Sequence, residues 1–485
     1  MSPSAGVPGD IVLADVELEG TRCDVTIRAG VISAIDPPGA TAPRRSGSEL
    51  IERVRAHGGA LVPGLHDHHL HLLAMAAAAR SAGVGPATVA DRAGLGRALR
   101  SAPDQGDGWV RAVNYHESVA GPLTRDVLDE LVPDRPVRVQ HRTGAAWFLN
   151  TPALDRLDIE ARAAGGVERD ADGRPTGRIF GEDHLVRLPG PPPDLGPVSR
   201  ALAACGVTGV TDATPYDGVD GADAFDLLAD AVRRGAVTQD LVVTGGPGLA
   251  GHPVPAGLRQ GPVKLLVADH SLPPFDDLAA QIAQAHRHGR TVAVHCVTRV
   301  GLVLALAAWE AVGAHPGDRV EHASIAPPEL RAAMARLGLT VVTQPGLVAE
   351  RGDDYLRDVE PDDRDHLYPC RSLETDGVRL GGSTDAPYSS ADPWDAIRAA
   401  VERRTTTGAV VGPDERLTAR RALDLFLTTP EDPGGHPRRV VVGAPADLCL
   451  LSVPLAEALR TPSSQTVRLT LRAGRPLLGR REAPG

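Results

Sequence analysis

Short apolar runs that alternate with helix-like stretches fill the middle of this 485-residue chain. Several of the runs end in a polar residue, and amphipathic stretches such as FDDLAAQIAQAHRHG and PPELRAAMARLG lie between them. Strands that alternate with helices favour parallel β/α units, and eight such strands favour a closed barrel. We therefore predict an α/β fold with a (β/α)8 TIM barrel over residues 61–434. The eight runs are 60–71, 206–214, 240–246, 262–268, 291–296, 318–324, 339–345 and 378–387.

The connection between the first two runs departs from this pattern. It is far longer than one helix with its loops, and it contains further strand-like pieces, WVRAVNYHES at 109–118 and RPVRVQHRTG at 135–144. Long connections inside compact domains usually carry function or structure of their own. We interpret residues 76–200 as an insertion after the first barrel strand, and we expect it to cover the site.

Both ends of the sequence also alternate like β-strands. DIVLADVELEG and CDVTIRAGVISAID lie near the start, and RRVVVGAPADLCLL and QTVRLTLRAGRPLL lie near the end. Such alternation, bounded by Gly and Asp turns, is typical of half-buried strands. We predict one small β-sandwich domain built from residues 1–60 and 435–485, the alternative being two unrelated sheet flaps.

The first run ends in HDHHLH, which places two histidines on one side of a strand. His69 and His71 are two residues apart, so their side chains point the same way, with Asp67 behind them. His66 and His68 take the opposite side, where we expect them to face outward or to play supporting roles. Imidazole nitrogens suit zinc and similar divalent ions. A lone histidine is more often a hydrogen-bonded structural residue, so the pair is the stronger indication of a metal site.

Three later runs end in residues that could join this pair. His295 ends the fifth run, His322 lies in the sixth and Asp385 follows the eighth, in GGSTDAPY. In β/α barrels the functional side chains lie at the carboxyl ends of the strands, so these residues would converge there. An aspartate at this position could bind metal, accept a proton from metal-activated water and pass it to a leaving amine. The alternative is a turn aspartate that binds backbone amides.

Lys264, in the fourth run, is the only lysine among the 51 lysine and arginine residues. Arginine can replace lysine where only positive charge is needed, but a guanidinium stays protonated in proteins. A buried lysine loses its proton readily, and the neutral amine can react with CO2 to form a carbamate. The two oxygens of a carbamate could bridge two metal ions. The alternative is chance, since an arginine-rich composition leaves the last lysine somewhere.

These motifs, in this order, resemble the amidohydrolase superfamily and in particular its YtcJ-like branch, also called amidohydrolase family 3. LVPGLHDHHLH is similar to the PGxxDxHxH motif of the first strand, and VKLLVADHS is similar to the VKxxxDGS stretch of this branch. VAVHC, RVEHAS and GGSTDAP are similar to the motifs of strands five, six and eight. The resemblance also includes both ends of the chain and parts of the insertion, so it covers nearly the whole sequence.

The resemblance implies a metal centre and a reaction. We expect one or two divalent ions, zinc in the first instance, and CO2 held as the carbamate of Lys264. The implied reaction is hydrolysis of a non-peptide carbon–nitrogen bond, in an amide, formamide or cyclic amide, by metal-bound hydroxide, with Asp385 as general base. Deamination of a ring amidine on the same metal is an alternative, and a small-molecule-binding barrel without turnover is another. The implied metal ligands are His69, His71, Lys264, His295, His322 and Asp385.

The sequence departs from the family pattern where we expect the substrate to bind. The branch usually has DGHAxW in its insertion, but this chain has TGAAW, so Ala145 replaces a histidine. DHS replaces the usual DGS after the fourth strand, which introduces His270, and Glu182 is one residue out of register for the usual carboxylate. With Tyr115 and Arg142, whose guanidinium could pair with a substrate carboxylate, these residues are our candidates for substrate contact. We interpret the departures as altered substrate choice.

The charge and composition of the chain limit the classes of partner that it can bind. A formal net charge of -11, with no basic stripe interleaved with aromatic residues, argues against nucleic acid. No apolar stretch is long enough to span a membrane, and five scattered cysteines without a CxxC spacing fit a reducing compartment. We therefore expect a cytoplasmic enzyme with a small-molecule substrate and no membrane partner. A homo-oligomer is compatible with the sequence.

Overall fold

The computed structural model describes residues 10–40, 52–106, 108–162, 164–188, 192–268 and 271–477. This part of the chain forms two compact units. Unit 1 comprises the described residues within Met1–His71 and Leu195–Gly485, and unit 2 those within Leu72–Asp194.

The strands of the described residues are numbered in chain order. They are β1 (Ile11–Leu18), β2 (Thr21–Arg28), β3 (Val31–Asp36), β4 (Glu52–Arg55), β5 (Leu61–Pro63), β6 (Leu65–Leu70), β7 (Ala82–Gly83), β8 (Val110–Tyr115), β9 (Val137–His141), β10 (Ala146–Leu149), β11 (Val167–Arg169), β12 (Pro175–Phe180), β13 (Val207–Asp212), β14 (Asp240–Val243), β15 (Arg259–Gln260), β16 (Val263–Leu266), β17 (Val292–Cys296), β18 (Arg319–His322), β19 (Thr340–Thr343), β20 (Arg379–Gly382), β21 (Leu448–Leu451), β22 (Val467–Arg472) and β23 (Arg475–Pro476).

The α-helices of the same residues are numbered in the same way. They are α1 (Leu72–Ala78), α2 (Arg92–Ser101), α3 (Glu117–Ala120), α4 (Arg125–Leu131), α5 (Thr151–Arg156), α6 (Gly196–Ala204), α7 (Gly218–Arg233), α8 (Phe275–Arg287), α9 (Arg299–Val312), α10 (Pro328–Leu337), α11 (Gly346–Asp358), α12 (Pro361–Arg364), α13 (Cys370–Thr375), α14 (Pro393–Glu402), α15 (Ala419–Asp424) and α16 (Leu455–Ala458).

Two parallel sheets in unit 1 contain the eight predicted runs. One has the strand order β15-β14-β13-β6, and the other runs from β16 to β20 in chain order. Strands such as β17 and β19 are rich in valine and almost wholly buried, as parallel strands covered on both faces are. The α/β class is therefore confirmed, and each of the eight runs contains a strand. The strands form two sheets, so closure into a single barrel stays a prediction.

The helices between these strands carry the expected sequence signals. Helix α8, between β16 and β17, has Asp276 and Asp277 in its first turn and Arg287 in its last, which complements the helix dipole. Its buried residues include Leu278 and Ile282, four positions apart on one face. The sequence thus directs one face of the helix toward the sheet and leaves the other to solvent.

Two further sheets in unit 1 come from the ends of the described chain. One has the order β3-β2-β1-β4 and the other β23-β22-β21-β5. Buried side chains of both sheets, among them Leu13 and Ile27 from the first and Leu450 and Leu471 from the second, form one hydrophobic core. The two ends of the described chain therefore share a core, while the boundaries 1–60 and 435–485 stay a prediction.

Unit 2 is built around one six-stranded sheet. Its strand order is β11-β12-β10-β9-β8-β7. Tyr115 and Phe148 lie in its main hydrophobic core, with ring centroids 5.6 Å apart. The unit thus has a sheet and a core of its own within the range that the sequence assigned to an insertion. Among the described helices of both units, none is long and apolar enough to cross a bilayer.

Candidate metal centre

A buried carboxylate holds the end of β6 against the segment that follows β20. Asp67 Oδ1 accepts from the backbone amides of His69 and Thr384, each at 3.1 Å. The Thr384 hydroxyl donates to Asp67 Oδ2 at 2.5 Å. Burial is the main cause that raises the pKa of Asp67 to about 7, against these hydrogen bonds, which lower it. The first and last predicted barrel strands are therefore fixed next to each other.

Next to this link, two histidines and an aspartate meet. His71 Nε2 lies 3.2 Å from Asp385 Oδ1, and His69 Nε2 lies 3.5 Å from the same oxygen. The Asp385 amide also donates to the carbonyl of His69 at 2.8 Å. One ligand atom from each of the three residues lies within 4.8 Å of the others, which suits a single divalent cation.

The second ring nitrogen of each of these histidines has a partner. His69 Nδ1 lies 2.5 Å from Glu321 Oε2, and His71 Nδ1 lies 2.9 Å from Thr214 Oγ1. Metal-binding histidines usually donate their other ring N–H to such an oxygen, which fixes the tautomer and the ring orientation. Both rings are thus held with Nε2 toward Asp385.

His322, at the end of β18, has the same arrangement; its strand is next to β17 and two strands from β16, which carries Lys264. Its Nδ1 lies 2.7 Å from Gln344 Oε1, and the Gln344 amide donates to Ser383 Oγ at 2.8 Å. His322 Nε2 is buried and has no hydrogen-bond partner among the described residues. Its ring lies 5.0 Å from that of His69 and 4.4 Å from that of His295, measured between centroids. A buried nitrogen without a hydrogen-bond partner, beside two other imidazoles, fits a role as a ligand of a cation.

The only lysine lies beside these rings. Lys264 Nζ is 3.5 Å from His69 Nε2, and the residue is 2% exposed. Burial lowers the pKa of Lys264 to about 8, although the charges of Glu321 and Asp385 act in the opposite direction. About a tenth of the amine is therefore neutral at pH 7, and about half at pH 8. Burial, followed by the Lys264 charge, also lowers the pKa of His295 to about 3.

The chemistry of this donor set fits a divalent ion. Burial lowers the pKa of His69 and of His322 well below the ordinary value, so both rings are neutral and offer a lone pair. Asp385 supplies a carboxylate oxygen beside them. The structure brings all six predicted ligands into one neighbourhood of unit 1, with three of them forming the tightest group.

Backbone strain accompanies the site. His322 has a φ of 72° and Asp385 a φ of 61°, both in the left-handed region that non-glycine residues rarely adopt. Such conformations cost roughly 1–3 kcal/mol each and persist where the surrounding structure enforces them. Two of the predicted ligands therefore occupy positions that the fold keeps strained.

His66 and His68, on the opposite side of β6, are both buried. His66 Nε2 lies 3.0 Å from Thr211 Oγ1, and His68 Nε2 lies 2.7 Å from Thr428 Oγ1. Both rings are therefore shielded from solvent inside unit 1. Whether they face away from the site or play a supporting role stays a prediction.

The predicted substrate residues lie elsewhere in the chain. Tyr115 is fully buried in the core of unit 2, and its hydroxyl donates to the Gly121 carbonyl. Arg142 is half-buried, and its amide donates to the Tyr115 carbonyl at 2.9 Å. Glu182 Oε2 lies 3.4 Å from His184 Nδ1. The Tyr115 contacts favour a packing role for that residue, while substrate contact by the others stays a prediction.

His270 and Ala145 are the two remaining positions that the sequence linked to substrate binding. His270 lies outside the described residues. Ala145, where the branch usually has histidine, is exposed in unit 2, and its carbonyl accepts from the Gly181 amide at 3.0 Å. Its effect on substrate choice stays a prediction.

Sequence reasoning missed the residues that orient the ligands. Glu321 is fully buried and binds both His69 and Arg319. Thr214 and Gln344 hold His71 and His322. The available signal was Glu321 in RVEH, a carboxylate directly before a predicted ligand in a predicted barrel strand. The identity of its partner depends on the fold.

Comparison with known proteins finds one matching family model and relatives that are similar over most of the chain. A family model described as amidohydrolase family matches residues 53–478. N-substituted formamide deformylase from Arthrobacter pascens is 28% identical over 439 residues, covering 78% of this chain and 80% of that protein. The amidohydrolase YtcJ of Bacillus subtilis (strain 168) is 26% identical over 430 residues, covering 78% and 81%.

A solved structure shows the same fold. It is an uncharacterized metal-dependent hydrolase from Pyrococcus horikoshii OT3, with a TM-score of 0.71 and 18% sequence identity. The likeness covers 92% of this chain and 97% of that one. At this identity it bears on the fold alone.

Proposed function

The chain belongs to the amidohydrolase family, and we propose that it is a metal-dependent hydrolase of an N-substituted formamide or a related small amide. The resemblance to the YtcJ-like branch is confirmed, as is an enzyme acting on carbon–nitrogen bonds other than peptide bonds. The observation that carries the metal-dependent part is that His69, His71 and Asp385 each offer a ligand atom within 4.8 Å of the other two.

His69, His71 and Asp385 would hold one ion. His295 and His322, with Lys264 as a carbamate, would complete a site for a second. Imidazole and carboxylate ligands suit zinc, which we propose as the metal. A divalent ion here supplies Lewis acidity, which polarises a carbonyl group and lets water attack it at neutral pH.

Asp385 would move the proton. Its Oδ1 lies 3.2 Å from His71 Nε2 and 3.5 Å from His69 Nε2, so the carboxylate is close to the ligand nitrogens of both rings. In hydrolysis of a formamide, the carboxylate accepts a proton from the attacking water and gives it to the nitrogen as the carbon–nitrogen bond breaks. The products are formate and an amine. General acid–base help of this kind contributes roughly 10²–10⁴-fold to rate.

Lys264 would act only after modification. A neutral amine adds to CO2 and loses a proton, which gives an anionic carbamate with two oxygens. The burial that lowers the pKa of Lys264 to about 8 favours this step, and a carbamate would be attracted to ions that repel an ammonium. Arginine offers no equivalent, because its guanidinium stays protonated.

Closure of the two parallel sheets into one barrel is part of this proposal. The Lys264 amide donates to the Gly245 carbonyl at 2.7 Å, which connects the start of β16 to the end of β14. On the other side, the His71 amide donates to the Ala386 carbonyl at 2.8 Å, which connects β6 to the segment after β20. These bonds support a ring of eight strands around the metal centre, as in (β/α)8 enzymes.

A product assay tests the reaction. The purified protein, loaded with zinc in the presence of bicarbonate, is incubated with a panel of N-alkyl and N-aryl formamides, simple amides and aminated heterocycles. We expect formate and amine from at least one formamide. Ammonia from a heterocycle without formate would favour the deaminase alternative. A zinc-loaded protein that turns over no member of either class would favour a binding barrel.

A further inference from the structure

Glu321 is held in a position where it can determine which nitrogen of His69 carries the proton. We propose that Glu321, fixed by Arg319, is a positioning residue that keeps the His69 proton on Nδ1 and so presents the Nε2 lone pair to the metal. This inference rests on the proposed metal-dependent function. It concerns a residue that contacts neither substrate nor metal in the proposed site.

The two carboxylate oxygens of Glu321 have separate partners. Oε1 accepts from Arg319 Nε at 2.6 Å, and Oε2 lies 2.5 Å from His69 Nδ1. All three side chains are at most 3% exposed, so water does not compete for these contacts. A carboxylate paired with a guanidinium only accepts hydrogen bonds, and therefore Nδ1 of His69 must be the donor.

Arg319 is itself anchored on the other side. It lies at the start of β18, and its Nη2 donates to the His68 carbonyl at 3.4 Å. A guanidinium has donors only. Whatever side chain stands at position 321 must therefore turn an acceptor toward Arg319.

This constraint makes the amide variant informative. In Glu321→Gln, the amide oxygen must face Arg319, which leaves the NH2 group facing His69 Nδ1. Nδ1 then has to accept, and the proton moves to Nε2, where it blocks a metal ion. In Arg319→Met/Glu321→Gln the amide is free to turn its oxygen to Nδ1, which restores the productive tautomer. A role in packing alone predicts that the double variant is worse than the single one.

Asp318 provides a matched control. It is a fully buried carboxylate next to β18, and it accepts from Trp309 Nε1 at 2.9 Å and from the Val292 amide at 2.9 Å. It also lies 2.9 Å from His286 Nε2. None of these partners belongs to the metal cluster. Asp318→Asn thus perturbs a buried carboxylate without touching His69.

The test measures the zinc dissociation constant by competition with a chromophoric chelator, and the visible absorption of the cobalt-loaded protein, for the full-length wild type and the three variants. We expect Glu321→Gln to bind zinc about 10–100-fold more weakly, with a changed cobalt spectrum. The double variant should recover part of this loss, and Asp318→Asn should bind like the wild type.

Several results would overturn the inference. Wild-type affinity in Glu321→Gln, an equal loss in Asp318→Asn, or a double variant weaker than the single one would each do so. Should Glu321→Gln fail to fold, nitrogen NMR of ¹⁵N-histidine-labelled, metal-free wild type decides, since the His69 signal must show a proton on Nδ1. A wild type that binds no zinc overturns the proposed function as well, whereas a zinc-binding wild type matched by Glu321→Gln overturns this inference alone.

Discussion

Asp67 and Thr384 join the first and last predicted barrel strands through two contacts, one from the Thr384 amide at 3.1 Å and one from its hydroxyl at 2.5 Å. His69 lies two residues after Asp67, and Asp385 lies directly after Thr384. The distance of 3.5 Å between His69 Nε2 and Asp385 Oδ1 therefore depends on this link. Asp67, which has no proposed role in the reaction itself, thus helps to set the distance between the proposed ligands His69 and Asp385.

The link predicts a specific pH dependence of stability in the metal-free protein. Burial raises the pKa of Asp67 to about 7, so between about pH 4 and pH 7 the native state keeps a proton that the unfolded state has lost. Stability from this group is thus present at low pH and falls as pH rises through that window. Asp67→Asn resembles the protonated form and should remove this fall, by an amount on the order of 4 kcal/mol at most.

Urea unfolding of metal-free wild type and Asp67→Asn at a series of pH values checks the sign. The difference between the two should change steadily from pH 4 to 7, in favour of the variant at the higher pH. Asp67→Ala, which leaves the Thr384 amide and hydroxyl without this acceptor, should be less stable than both at every pH. Parallel curves for wild type and Asp67→Asn would show that Asp67 does not hold a proton in the native state.

Asp385→Asn should separate metal binding from proton transfer. The variant keeps a ligand oxygen at a similar position but cannot accept a proton, so we expect near wild-type zinc content and a roughly 10²–10⁴-fold loss of kcat. Zinc content by elemental analysis and kcat on the best formamide check this. Asp392→Asn, a carboxylate that caps α14, is the control and should keep kcat. Near wild-type kcat in Asp385→Asn would assign the proton transfer to another group.

Lys264 predicts that zinc uptake depends on CO2 and becomes faster as the pH rises. With a pKa of about 8, the neutral fraction of the amine rises about fivefold between pH 7 and pH 8. At equal dissolved CO2, zinc uptake by metal-free protein should therefore accelerate by a similar factor over that range. Lys264→Arg keeps the positive charge and should show weak, CO2-independent uptake. Equal zinc uptake by the wild type with and without CO2 would show that zinc binding does not require modification of the Lys264 amine.

The sequence predicted those parts of the site that follow a local period. The two-residue spacing of His69 and His71 predicted that both lie on one side of the first barrel strand, and the Nε2 atom of each lies within 3.5 Å of Asp385 Oδ1. The valine-rich runs marked the parallel strands, because strands buried on both faces need continuous apolar sequence. Local pattern and burial were sufficient for these features.

The orienting residues could not be predicted in this way. By strict alternation Glu321 and His322 point to opposite sides, yet Glu321 contacts His69, and the His322 ring lies 5.0 Å from the same ring. The positive φ of His322 breaks the alternation at the end of β18, and no sequence signal marks it. Gln344 and Thr214 are common polar residues whose partners are distant in sequence, so only the fold reveals their roles.

The central claim is that His69, His71 and Asp385 surround a catalytic cation. Zinc-edge anomalous diffraction from crystals of the zinc-loaded protein tests it most directly. We predict a strong peak within coordination distance of His69 Nε2, His71 Nε2 and an Asp385 carboxylate oxygen, with extra density on Lys264 Nζ. A protein that binds zinc in solution but shows its only anomalous peak away from these three atoms would contradict the claim.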